Sequence, residues 1–283
     1  MIGVIGDLVE DIVVELGGPV NLASDTDAVV SRRRGGSAAN VAVATAMTGA
    51  RARFIGSIGD DPLGDALALR LGEAGVEIRG RRSGRTGTIV VLVDERGERT
   101  MLSDRGSSSE LTEPEPSWLD GLVALHVPFY SLAVEPMATT CRTLIAWART
   151  RGILVSLDVS STAVVEAFGI DRFRRRIADL SADIVFANEA EADLVGIDAM
   201  VESVSATAGQ VVVHDATTAC VHRPTGTVEV VGHDLGPVTD STGAGDAFAA
   251  GFLSAIVAGA DSVVAAGRGH DAARDHLLRV YSS

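Results

Sequence analysis

Short apolar runs alternate with longer stretches of helical spacing along most of this chain. The runs "IGVIG", "ARFIGSI", "LVALHV", "ILVSLDV", "DIVFAN" and "QVVVHD" are apolar almost throughout, as strands covered on both faces are. Between them the spacing predicts helices over 37–48, 62–74, 135–150, 171–180, 189–195, 243–258 and 261–280. Asp61 before Pro62 is a fitting N-cap with proline at the first helical position, and Gly75 is placed to end that helix. Such strands, separated by helices, predict an α/β fold with a parallel sheet between two helical layers.

Two segments break the rhythm. "DIVVELGGPVNLASDTDAVVSRRR" and "GTIVVLVDERGERTMLSDRG" read as extended chain with turn chemistry, the second as a hairpin around "DERGE", and neither is followed by a crossover helix. They are either a small β flap that leaves the main sheet and covers a site, or two ordinary surface hairpins. "ELTEPEPSW" is a loop, not a linker, since the β/α alternation resumes directly after it. One domain over 1–283 is expected, with the flap inserted from about 12–34 and 85–106.

Composition narrows the chemistry. Apolar residues make up 46% and charged residues 22%, an ordinary globular balance. No apolar run approaches the ~20 residues that cross a bilayer, and "MIGVIGDLVEDIVVEL" has no basic leader, so the cytoplasm is expected. A net charge of −14 disfavours nucleic acid and anionic membranes as partners. All 24 basic residues are arginine. Without lysine there is no Walker A loop, no protein-kinase strand lysine and no Schiff base. If phosphate is handled, backbone amides, arginine and metal ions must do it. Cys141 and Cys220 stand far apart without a CxxC pattern, as buried thiols do, and no two of the six histidines have the i, i+4 spacing of a helical metal pair.

Near the C-terminus, "VTDSTGAGDAFAAGFLSAIVAG" puts Gly243, Ala244 and Gly245 at the mouth of an apolar helix, with Asp246 just inside. The first amides of a helix lack internal partners and carry partial positive charge, so small residues there let an anion approach closely. A carboxylate beside bound anionic charge gains proton affinity, which suits a general base for an attacking hydroxyl. A Gly-rich loop with a capping acid is the plainer alternative. A dinucleotide fingerprint fits poorly, because Phe248 stands where its third glycine belongs, and no GxSxG elbow occurs. In "RRRGGSAANVAVATAMTGARARFIGSIGDDPLGDAL", Gly35 and Gly36 allow close backbone approach and Asn40 can both donate to and accept from a hydroxyl pair. Asp11, shortly after the first strand, can accept from sugar hydroxyls. Together these groups describe phosphoryl transfer to an alcohol.

The residues resemble the PfkB, or ribokinase-like, family of carbohydrate and nucleoside kinases. The resemblance spans nearly the whole chain and rests on "GGSAANVAVA…GSIGDDPLGDAL", "DSTGAGDAFAAGF" and the Asn-x-x-Glu element in "FANEAEADLV", in that order. It implies a doubly wound, mostly parallel α/β sheet with a small β-lid, ATP as donor, and Mg²⁺. By resemblance, Asp246 deprotonates the acceptor and the amides of Gly243, Ala244 and Gly245 stabilise the transferring group. Asn188 and Glu191 organise Mg²⁺ and its waters, with Glu191 acting through water. Asp11, Gly35, Gly36 and Asn40 hold the sugar. Asp240 and Thr242 match positions used for K⁺ in some relatives. Where a Thr-x-Gly-x-x-Gly loop is usual near the nucleotide, the chain has "VVVHDATTACVH", with His214, Ala216 and Ala219 in place of Thr, Gly and Gly. "DVSSTAVVE" lacks the Asn and Arg that many members carry after "SLD". Arg105 either reaches an acidic group on the acceptor or pairs at the surface; Phe129 and Tyr130 either stack on a base or pack in the core. A small sugar or sugar acid is the expected acceptor. A nucleoside, or a noncatalytic sugar- or nucleotide-binding role, is the alternative. A homodimer through the lid edges is a further expectation.

Overall fold

Apolar strands and intervening helices build two sheets of different character. The structure, a computed structural model, describes residues 1–205, 207–232 and 241–280. The chain begins β1 (Ile2–Ile5), β2 (Val9–Leu16), β3 (Ala28–Gly35), α1 (Ser37–Met47), β4 (Ala52–Ile58), α2 (Pro62–Glu73), β5 (Val76–Arg82), β6 (Thr86–Val93) and β7 (Arg99–Gly106). It continues β8 (Ala124–Pro128), α3 (Tyr130–Ala133), α4 (Met137–Thr150), β9 (Leu154–Asp158), α5 (Thr162–Phe168), α6 (Ile170–Leu180), β10 (Ile184–Asn188), α7 (Glu189–Val195) and α8 (Ile197–Ser205). Last come β11 (Gln210–His214), β12 (Thr218–Arg223), β13 (Gly226–Val231), α9 (Ala244–Val257) and α10 (Ser262–Val280).

The large sheet has the order β13-β12-β11-β10-β9-β8-β1-β4-β5 and is parallel from β11 to β5. β12 and β13 close one edge as an antiparallel hairpin. Alternation along the strands feeds two cores. Val185 and Ala187 of β10 pack toward α4, α6 and α8, whereas Ile184 and Phe186 pack toward α9 and α10. Near the other edge, α1 and α2 bury Ala38, Ala42, Leu67 and Leu71 against Val4 and Phe54. Burial on both faces explains why these strands read as unbroken apolar runs.

The small sheet has the order β3-β2-β6-β7. β2 pairs in parallel with β6, Val9 opposite Gly87, so the two extended segments form one sheet and not two separate hairpins. The "DERGE" turn joins β6 to β7, with Asp94 Oδ1 accepting the amides of Arg96 and Glu98, each at 2.9 Å. The strand pairing reaches slightly beyond 12–34, to Val9 and Gly35.

Several local expectations hold in detail. Asp61 caps α2, its Oδ1 accepting from Gly64 N–H at 2.8 Å, and Gly75 follows with φ of +80°. The segment predicted as one helix over 135–150 begins at Met137, behind the separate turn α3. α5, α8 and the edge strand β5 were not expected. Among the described residues, no helix is long and apolar enough to cross a membrane.

Candidate functional site

Parallel sheets place their ligands outside the carboxyl ends of the strands. Here a cavity of about 410 Å³ lies between those ends and the small sheet. Asp7 beyond β1, Asp158 of β9, Asn188 of β10 and His214 of β11 line its floor, while Val91 of β6 and Arg105 of β7 line its roof. The head of α9 and the start of α1 close one side through Gly245, Asp246, Ser37 and Asn40.

Asp246 is the hub. Ser37 Oγ donates to its Oδ1 at 2.6 Å and Asn40 Nδ2 donates to its Oδ2 at 2.9 Å. Burial pushes its carboxyl up to about 6, against the lowering pull of those two hydrogen bonds. Arg34 NH1 in turn donates to Asn40 Oδ1 at 2.7 Å. Gly243 caps α9 with φ of +81°, and a Cβ there would stand 2.9 Å from His276 Nε2. Gly245 faces the cavity, whereas the Ala244 amide donates within the turn to Ser241 O at 3.1 Å.

The paired glycines serve close approach. Gly36 has φ of +97° and a Cβ on it would lie 2.4 Å from the Asp7 carbonyl oxygen; one on Gly35 would lie 2.1 Å from Asp11 Oδ1. Gly36 and Asp11 both line the cavity. Burial raises the Asp11 carboxyl, with Arg33 opposing. Arg105 lies 3.1 Å from Asp7 Oδ2 and its guanidinium covers the Tyr130 ring at 4.7 Å. Phe129 is in the core, edge-on to Phe168 and Phe173.

Asn188 and Glu191 form a capping box on α7: Glu191 N–H donates to Asn188 Oδ1 at 2.9 Å, and Asn188 N–H to Glu191 Oε2 at 3.0 Å. Burial pushes Glu191 up to about 7. Asp158 is raised well above the usual carboxylate range, first by burial and then by Glu191 and Asp246. The described residues contain no cluster of three or more donors able to hold a metal unaided. These mutually repelling carboxylates fit an Mg²⁺ ion that keeps several waters and takes its other ligands from phosphate.

His214 lines the cavity, stacks on Phe248 with centroids 4.4 Å apart, and is drawn down to about 4 by burial. Ala216 is exposed and lies outside the cavity lining, in a turn that Asp215 organises by accepting the amides of Thr217 and Thr218. Thr242 lines the cavity and its hydroxyl accepts from Arg99 of β7, a fixed cation beside the position proposed for K⁺. Asp240 lies outside the described residues.

Sequence reasoning missed Asp7, Asp158, Ser37 and Arg34. Asp7, Asp158 and His214 all stand at or just beyond the carboxyl ends of parallel strands, and that rule would have found the two acids.

The arrangement can bind hydroxyls, take a proton at Asp246 and meet an anion at the helix head. The pfkB family carbohydrate kinase profile matches residues 4–277. An ATP-dependent ribose-1-phosphate kinase of Halopiger xanaduensis is 34% identical over 82% of this chain and 77% of its own. A fructokinase of Klebsiella pneumoniae is 31% identical over 84% of this chain and 82% of its own. The adenosine kinase structure from Sinorhizobium meliloti superposes with a TM-score of 0.84 at 25% identity, covering 96% of this chain and 92% of that one. Whole-chain likeness in sequence and fold, around a site of this chemistry, makes this protein a member of the pfkB family of carbohydrate kinases.

Proposed function

We propose that this kinase moves the γ-phosphoryl group of ATP onto a hydroxyl of a small sugar or sugar acid, with Asp246 as general base. The observation that carries the reading is Asp246 itself: half-buried at a helix head, held by Ser37 and Asn40, and open to a cavity lined by hydroxyl-binding groups. A carboxyl near 6 is ionised at neutral pH yet basic enough to accept a proton as the new O–P bond forms. The proton passes to Asp246 and the ADP oxygen leaves with the electrons of the broken P–O bond. The amides of Gly243 and Gly245, with the α9 dipole, offset charge on the group in flight. The turn must release the Ala244 amide from Ser241 before it can join them. Bound Mg²⁺ would neutralise phosphate charge, with Glu191 ordering its waters and Asn188 fixing Glu191. Asp11, Gly36 and Asn40 hold the acceptor, and Gly35 keeps Asp11 in place. Thr242 and His214 stand beside the donor's path.

A sugar is favoured over a nucleoside because Phe129 is packed in the core and Arg105 already covers Tyr130. Consumption of ATP fits the cytoplasm, the compartment expected from the sequence. The test is turnover of D-fructose and D-ribose with Mg·ATP. Asp246→Asn is expected to lower kcat by about 10³-fold while KM values stay within a few-fold. Undiminished turnover in Asp246→Asn would sink the assignment. Sugar binding by the natural chain, without product and without an effect of ATP, would make it a noncatalytic binder.

A further inference from the structure

We infer that Arg34 is a positioning residue for the base: by holding the Oδ1 end of Asn40 it fixes the Nδ2 end on Asp246, and it does so from the small sheet. The inference rests on the proposed role of Asp246. Asn40 has a donor end and an acceptor end; the ionised Asp246 carboxylate only accepts and so selects the donor end, but that single bond leaves the other end of the amide unfixed. Arg34 NH1 at 2.7 Å from Oδ1 removes that freedom, because a guanidinium has no acceptor and only the carbonyl oxygen can face it. The chain of contacts then reads Arg34, Asn40, Asp246, with the last step at 2.9 Å.

The link crosses between layers. Arg34 lies in β3, opposite Glu10 of β2, whereas Asn40 lies in α1 and Asp246 in α9. The tether therefore runs from the small sheet to the helix that carries the base's donor. Arg34 is not part of the cavity lining, so it acts through Asn40 and not on the substrate.

Charge adds to orientation. Arg34 favours the ionised form of Asp246, and Asp7 opposes it. Asp158 of β9 and Glu191 of α7 lie in the same cavity, and His214 of β11 approaches at Gly245. Arg34 itself is half-buried, and desolvation lowers its proton affinity, while Asp246 and Asp11 raise it and Arg70 of α2 lowers it.

A ¹³C NMR titration of the aspartate carboxyls reads this without a substrate, the Asp246 signal being assigned by its loss in Asp246→Asn. In Arg34→Met the Asp246 midpoint is expected to rise by about half a pH unit or more. Arg34→Lys is expected to return most of the shift, since it keeps a charged donor. The acid limb of kcat/KM with D-fructose and Mg·ATP should move in parallel, and Arg34→Met should add little to Asn40→Ala. An unmoved midpoint in Arg34→Met, or fully additive losses with Asn40→Ala, would overturn the inference. If Arg34→Met does not fold, Arg34→Gln offers an uncharged donor, and a midpoint equal to that of the natural chain would likewise overturn the charge argument. Turnover retained in Asp246→Asn is a different result and would refute the base, not the tether.

Discussion

At Asp246 two opposing effects meet. Burial penalises the charged form, two donors stabilise it, and burial prevails, leaving the carboxyl near 6. An unfolded chain would hold the same group near its ordinary 3.8. Because the folded value is raised, the proton-linked contribution to stability is complete below 3.8 and is lost as pH rises through 6. At pH 8 the buried charge costs on the order of 2–3 kcal/mol. Asp246→Asn removes that cost but gives up one acceptor toward Asn40, worth about 1 kcal/mol. The variant should melt a few degrees above the natural chain at pH 8 and below it at pH 4, and calorimetry across that range checks the crossing. A variant that melts lower at both pH values would contradict the buried-charge account. Asp246 and Asn40 were legible because each stands beside glycines that have no other obvious purpose. Arg34, Ser37 and Asp7 were not. An arginine in "RRRGG", a serine at a helix start and an acid after a strand have ordinary surface roles, and what sets them apart lies elsewhere in the chain. The Asp7 partner Arg105 is 98 positions away, and the Asp246 donor Ser37 is 209 positions away.

Among the elements, α7 shows how one motif can carry two duties. Its Asn-x-x-Glu start is a reciprocal cap, the arrangement that satisfies two orphan donors at a helix head. The same Glu191 is a buried cavity carboxylate pushed up to about 7. The duties separate by mutation. Asn188→Ala should cost about 1 kcal/mol of stability through the lost cap. Glu191→Gln keeps an amide oxygen for the cap but removes the charge, so it should leave melting nearly unchanged at pH 5 and raise KM for Mg·ATP several-fold. Melting curves alongside steady-state kinetics check both, and an unaltered KM would reduce the motif to a cap. The elements hidden from the sequence had physical reasons to hide. β5, "VEIRGRR", is an edge strand whose arginines reach Glu77, Glu115 and Asp65, so it lacks the apolar run of its neighbours. α5 is seven residues long, too short to display a helical period. The central strands and α9 were plain because burial on every side leaves only apolar choices.

Over the whole molecule, the small sheet ends, among the described residues, in two unpaired edges, β3 and β7. Val29 and Val30 on the first and Leu102 on the second expose more than half of their surface. Pairing of two copies through these edges is the proposed assembly, since long apolar edges invite a partner. A net charge of −14 on each copy opposes the contact, so association should strengthen as salt is added. Sedimentation at tens of micromolar protein should show dimer, and Val29→Lys with Leu102→Lys should give a folded monomer. A natural chain that stays monomeric at high salt would exclude the pairing. The bonds from Ser37 and Asn40 to Asp246 span 209 and 206 positions. During synthesis on a ribosome, the half that would cradle a polyol emerges long before the carboxylate that would act on it. If Asp246 is the base proposed above, prematurely terminated copies lacking α9 would have no means of spending nucleotide, and the order in which the gene is read would remove the energetic hazard of an unfinished phosphotransferase.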